Sequence, residues 1–89
     1  MIRAARRHHL AHLHMLLTEL YLYNSLQQAA LVTTMHIDDF CEALEDSQFG
    51  NHALLVELRR VRTQVNEFCQ RCRRAAAVTI ERLERFFVA

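Results

Sequence analysis

One uninterrupted stretch, residues 51–87, limits the folds open to this chain more than any other. It contains neither Gly nor Pro, and good helix formers fill most positions between its apolar residues. Those apolar residues recur at steps of three and four: Leu54, Leu58, Val61, Val65, Phe68, Cys72, Ala76, Ile80, Leu83 and Phe87. The spacing predicts one helix of roughly 36 residues, about 54 Å long. Because a single helix cannot bury so long a stripe by itself, it must pack against another helix.

The segment 9–34 shows the same kind of pattern. Seven of its residues alternate in steps of three and four, which is a heptad register: Leu10, Leu13, Leu17, Leu20, Asn24, Gln27 and Leu31. Three more widen this face and favour a bundle over a two-stranded seam: Leu16, Tyr23 and Ala30. Asn24 and Gln27 place two amides on the packing face. We expect a polar layer that fixes register or oligomeric state; the alternative is a specific hydrogen bond to a partner.

The connection between these two stretches is predicted to contain a short helix. Thr33 and Thr34 weaken the preceding helix because both are β-branched. Residues 37–44 then carry a short amphipathic pattern. Either Asp38 or Asp39 can cap its start, where the helix dipole favours an acid.

A second boundary is predicted at the only glycine of the chain. Gly50 suits a left-handed C-terminal cap, and Asn51 after it suits the N-cap of the last helix. The sequence therefore predicts helices at about 4–34, 38–48 and 52–87. We expect one all-α domain of long, short and long helix, with the long helices packed antiparallel as a helical hairpin or bundle, in an oligomer.

The last predicted helix changes phase near its small residues. Cys72, Ala76 and Ile80 lie four apart, whereas the earlier steps alternate between three and four. That change predicts a stutter, which locally unwinds a supercoil. Residues 75–77 are all Ala, and they mark a place where another backbone can approach closely.

Cysteine and histidine offer the only metal-ligating patterns. Cys69 and Cys72 form a CxxC in mid-helix; we interpret them as small packed residues, the alternatives being a redox pair or half a zinc site completed by Cys41 or histidines. His8 and His12 share a helix face that suits a transition metal, but a solvated polar face is the preferred interpretation. No metal and no cofactor is predicted. Three cysteines, an odd number, favour a reducing intracellular compartment, cytoplasm or nucleus.

All eleven basic residues are arginines, and some of them share one face of the last helix. On a helical wheel this face lies opposite Leu58, Val65 and Leu83, and it is a candidate contact for phosphates or an acidic partner: Arg60, Arg71, Arg74, Arg82 and Arg85. Three spacings predict ion pairs within the helix that partly neutralise the face: Glu57–Arg60, Glu67–Arg71 and Glu81–Arg85. A solvated face is therefore the preferred interpretation.

Aromatic residues that do not fit one narrow seam are candidates for partner contact. Tyr21 and Tyr23 lie at different angles of the first helix, and Phe86 and Phe87 do so near the end of the last. The alternative is that a bundle with several neighbours buries them. The full set of predicted partner-binding residues is Leu20, Tyr21, Tyr23, Asn24, Gln27, Val65, Phe68, Phe86 and Phe87.

These patterns favour a non-enzymatic function. The sequence has no Gly-rich phosphate loop, no GxSxG motif and no paired carboxylates in a predicted cleft. Polar residues interrupt the segment 10–32, so no membrane span is predicted. A small helical rod has few concave pockets, so no small-molecule substrate is predicted. We expect a small structural or adaptor subunit, or a chaperone-like partner, that binds its own copy or another helical protein. The alternative is a nucleic-acid-binding helical protein that uses the arginines of the last helix.

Overall fold

The protein folds as an antiparallel pair of long helices. The computed structural model describes residues 2–47 and 52–88, with side chains from residue 6 onward. Helix α1 spans Ile2–Asp46 and helix α2 spans His52–Val88. Cross-helix contacts join Asp38 to Arg62, Gln27 to Cys69 and His9 to Phe86. In these contacts the residue number on α2 falls as the residue number on α1 rises, so the predicted all-α fold with antiparallel long helices is confirmed.

The predicted short helix at 38–48 is wrong, because α1 continues through that segment to Asp46. The hydroxyls of Thr33 and Thr34 donate to the carbonyls of Ala29 and Ala30, at 2.8 and 3.0 Å. These bonds accommodate both threonines within the helix, so the β-branched pair does not end it. The described residues therefore form two helices, and the predicted caps at positions 50 and 51 lie outside them.

The two helices meet along a continuous seam, which we define as their inward-facing residues. Every seam residue is buried or half-buried. On α1 the seam contains Leu13, Leu16, Leu20, Tyr23, Gln27, Ala30, Thr34, Ile37, Cys41 and Leu44. On α2 it contains Leu55, Leu58, Arg62, Val65, Cys69, Cys72, Ala76, Thr79, Leu83 and Phe86. Both rows alternate steps of three and four without interruption, which is the spacing of an antiparallel coiled coil.

This register corrects two predictions. Leu10, Leu17 and Leu31 lie beside the seam and are exposed, while Leu16 is 1% exposed. The predicted stutter in α2 is wrong as well, because the seam passes through Thr79 instead of Ile80. Seven of the twenty seam residues are Ala, Cys or Thr, and small side chains let two helix backbones approach closely. The buried hydroxyl of Thr79 is satisfied by donating to the Ala75 carbonyl at 3.1 Å.

The hairpin is a thin rod that leaves much of its apolar surface uncovered. It measures 72 × 16 × 15 Å, and its radius of gyration is 20.2 Å, against roughly 12 Å for a compact chain of this length. The accessible surface is 7300 Å², about 1900 Å² more than the ~5400 Å² of a compact protein of 10.5 kDa. Neither α1 nor α2 contains a stretch with the length and hydropathy of a bilayer-spanning segment.

Candidate interaction surfaces

One side of the seam is bordered by uncharged residues from both helices. Five of them define what we call the apolar flank: Leu26, Phe40, Val61, Phe68 and Ala75. Each directly precedes a seam residue, so all five occupy equivalent positions in the heptad. Phe40 is 53% exposed and Phe68 is 39% exposed, while the other three are half-buried. The exposed Leu54 continues the row toward the loop.

The apolar flank ends where charged side chains take the equivalent positions. Thr33 also lies on it, but its hydroxyl is already bonded to its own helix and leaves the surface largely apolar. Toward the open end of the hairpin, Glu19 and Arg82 take the equivalent positions and end the uncharged surface. Apart from the seam, the half-buried residues among the described side chains all lie on this side: Glu19, Leu26, Val61 and Ala75.

The opposite side of the seam is polar near the loop. Arg59 forms an ion pair with Glu45, and Arg62 reaches from the seam to bind both carboxylate oxygens of Asp38. The hydrogen bond from Arg62 to Asp38 raises the pKa of the guanidinium above its ordinary value. We call this side the polar flank; farther from the loop it becomes apolar and carries the exposed residues Leu17, Leu31 (44% exposed), Ile80 and Phe87. Covering the polar flank would remove paired charges from water, which is costly.

The register separates the predicted partner-binding residues of α1 into two groups. Leu20, Tyr23 and Gln27 lie on the seam, so they contact α2 within the hairpin. Asn24 is exposed, so the predicted layer of two amides on one packing face is wrong. Only Gln27 remains there, and its backbone carbonyl accepts a hydrogen bond from the Cys69 thiol at 3.9 Å. Tyr21 points away from the seam and is highly exposed.

The predicted partner-binding residues of α2 divide in the same way. Val65 lies half-buried on the seam, whereas Phe68 lies on the apolar flank. At the open end, Phe86 is half-buried and stacks on His9 with ring centroids 3.8 Å apart. Phe87 contacts the edge of Phe86 at 6.0 Å but is itself highly exposed.

The three cysteines and two of the histidines are engaged in packing. Cys41, Cys69 and Cys72 are free thiols buried on the seam, in agreement with their interpretation as small packed residues. His12 stacks on Phe86 at a centroid distance of 5.8 Å. Within residues 2–47 and 52–88, no three His, Cys, Asp or Glu side chains are grouped so as to hold a metal ion.

Most of the predicted arginine face lacks acid partners. Arg60 pairs with Glu57, and the hydrogen bond between them lowers the pKa of the Glu57 carboxyl below its ordinary value. Among the described residues, however, the predicted pairs Glu67–Arg71 and Glu81–Arg85 are not within ion-pair distance. Arg71 instead lies over the Phe68 ring, 6.0 Å from its centroid. The exposed arginines without an acid partner on this face are Arg71, Arg74, Arg82 and Arg85.

Charge is distributed unevenly along the rod. The loop end, residues 38–67, carries seven acids and three arginines, a formal charge of −4. The rest of the chain carries eight arginines and three acids, a formal charge of +5. A partner that lies alongside the rod would therefore be favoured if its positive part faced the loop end and its negative part faced the rest of the chain.

Only part of the apolar flank can be recognised from the sequence. Phe68 is predicted to contact a partner and Ala75 to mark a place of close backbone approach, but Leu26 and Phe40 are not among the predicted partner-binding residues. The signal is that the residue before every second seam residue is uncharged over 26–40 of α1 and 61–75 of α2, and it is visible only once the register is known.

Comparisons with known proteins give no indication of the function. No family model, no curated protein and no solved structure matches the chain.

Proposed function

We propose that the protein is a non-enzymatic helical interaction module that binds another helical chain side by side. It acts as a small structural or adaptor subunit, or as a chaperone-like partner, within a larger assembly. One observation carries the proposal: among the described residues, sixteen large apolar side chains are exposed and only eight apolar side chains are buried. Soluble monomers rarely expose large contiguous apolar patches, so such surface is typical of interaction sites.

The apolar flank is the part of this surface best suited to a partner helix. It is uncharged on both helices, so a third helix could pack its side chains between those of α1 and α2 without covering a charge. Phe40 and Phe68 supply the large aromatic contacts that usually dominate binding energy. Four predicted partner-binding residues lie on the seam: Leu20, Tyr23, Gln27 and Val65. They hold α1 and α2 together and so affect binding indirectly.

Site-specific photo-crosslinking in the native cell tests this proposal. A benzophenone amino acid is placed at Phe40 or Phe68, and at Gln70 as an exposed control on the outer side of α2. We expect discrete adducts, with a helical protein or with a second copy, from the two flank positions and none from position 70. Adduct yields at positions 40 and 68 no higher than at position 70 would refute the proposal.

Nucleic-acid binding is the second candidate function. It is favoured by the four exposed arginines without acid partners, Arg71, Arg74, Arg82 and Arg85, and by the charge of +5 outside the loop end. Arg60 contributes less because it is paired with Glu57. Binding would be electrostatic, with an affinity for duplex and single-stranded probes that falls steeply as salt rises. The absence of binding at low salt, or binding independent of salt, would exclude it.

The proposed compartment is reducing and intracellular, cytoplasm or nucleus. The supporting observation is that the three thiols are free and buried. Redox-sensitive mass labelling of the protein in its native cell tests this placement, and a stable disulfide there would contradict it.

A further inference from the structure

We propose that the partner covering the apolar flank is a second copy of this chain, packed antiparallel to the first. The loop end of each hairpin then lies beside the basic part of the other, and the four long helices form a bundle. The inference rests on the proposed interaction function and names its partner. Three observations support it: the symmetry of the flank, the distribution of charge and the surface available.

The apolar flank is suited to pairing with itself. It spans residues 26–40 of α1 and 61–75 of α2, two segments at the same level of the hairpin, because Asp38 contacts Arg62. Both helices contribute equally to a surface about 21 Å long at 1.5 Å per residue. The surface is centred near Phe68, close to the middle of α2. A two-fold axis through this point, perpendicular to the rod, brings each flank onto its copy and closes the assembly as a dimer.

Charge selects the antiparallel orientation. If the two rods lay parallel, loop ends of charge −4 would face each other, and so would the remaining parts of charge +5. In the antiparallel arrangement each loop end meets positive charge. A two-fold axis level with Phe68 carries the position of Arg62, and with it Asp38, to the level of Arg74 in the second copy. Arginines without an acid partner in one chain thereby lie at the same level along the rod as the acidic loop end of the other.

The rod as a whole has surface to spare for a dimer. Permanent interfaces bury roughly 1000–2500 Å² on each partner. The whole hairpin exposes about 1900 Å² more than a compact protein of its mass, and the apolar flank is one part of that surface. The polar flank is the less favourable alternative, because it carries the ion pairs of Arg59 and Arg62 near the loop.

The first test is the mass of the full chain in solution under reducing conditions, by sedimentation equilibrium with circular dichroism alongside. We expect twice 10.5 kDa. Phe68→Asp on the apolar flank is compared with Leu31→Asp on the polar flank, a similarly exposed residue. We expect Phe68→Asp to weaken dimerisation at least 100-fold and Leu31→Asp to change it less than threefold.

Two outcomes of this test overturn the inference. A wild-type chain that is helical, cooperatively folded and monomeric excludes the second copy. The proposed function then still stands if the photo-crosslinks at positions 40 and 68 join another protein. A dimer that dissociates with Leu31→Asp but persists with Phe68→Asp would have its interface on the polar flank.

A second measurement, which does not depend on any flank variant folding, tests the orientation. Glu84→Cys adds an exposed labelling site, while the three native thiols are buried. Position 84 is sixteen residues from Phe68, so two spin labels in the antiparallel dimer lie about 48 Å apart along the rod. In a parallel dimer they lie within about two interhelical spacings, ~20 Å. A pulsed electron paramagnetic resonance distance near the shorter value overturns the antiparallel arrangement.

Discussion

Two adjacent leucines provide the sharpest test of the observed register. Leu16 is 1% exposed on the seam, whereas Leu17 is 49% exposed beside it. A register drawn from the sequence alone puts Leu17 on the seam and Leu16 at its edge. The structure reverses that order, so truncating each residue to Ala measures directly which one is packed.

The expected magnitudes follow from burial. Leu16→Ala removes buried methylene groups and leaves a partly collapsible cavity, so we expect a loss of about 3 kcal/mol in the free energy of unfolding. Leu17 is half exposed already, and Leu17→Ala should cost only about 1 kcal/mol. For a chain of this size these losses correspond to decreases in Tm of roughly 12–24 °C and 4–8 °C.

The assay is thermal and urea denaturation followed by circular dichroism. Both variants and the wild type are compared at one protein concentration, because association would make Tm depend on concentration. The change in helix propensity is the same in both variants, because each replaces Leu by Ala within α1. If Leu17→Ala were as destabilising as Leu16→Ala, the register described above would be incorrect.

The remaining predictions concern thiols, protonation and salt. Cys41, Cys69 and Cys72 should resist a thiol reagent in the native protein and react fully in urea; rapid native labelling would contradict their burial. Replacing Arg60 by Gln should raise the pKa of Glu57 toward its ordinary value of 4.5, as measured by NMR titration; an unchanged pKa would show that the pair does not form in solution. Because the pKa of Glu57 is lowered in the fold, this small contribution to stability is present above pH 4.5 and is lost as pH falls through the lowered pKa. Raising salt from low to about 0.5 M should weaken the antiparallel dimer, since the opposite charges of the loop end and the remaining chain are screened; tighter association at high salt would favour the parallel arrangement.

Parts of the surface could be predicted in advance, and parts could not. Phe68 and the arginine face of α2 are recognisable from type and spacing, but two of the three ion pairs predicted on that face are not found among the described residues. Gln27 was placed correctly on the packing face, but Asn24 was not, because the two amides lie only three residues apart and a rotation of the helix by one heptad position separates them. The apolar flank as a set emerged only from the structure, because it draws Leu26 and Phe40 from α1 and Val61 and Phe68 from α2.

The sequence by itself determined that the chain is helical, that its two long apolar stripes must be covered, and that the long helices pack antiparallel. Periodicity and the scarcity of Gly and Pro decide the first two points locally, and the short connection between the long helices favours the third. The tertiary structure decided the register, because several neighbouring rows are apolar and only the contact between the helices selects among them. It also decided that α1 passes unbroken through Thr33 and Thr34. Their hydroxyls bond within the helix, and the seam beyond them at Ile37 and Cys41 keeps its contact with α2.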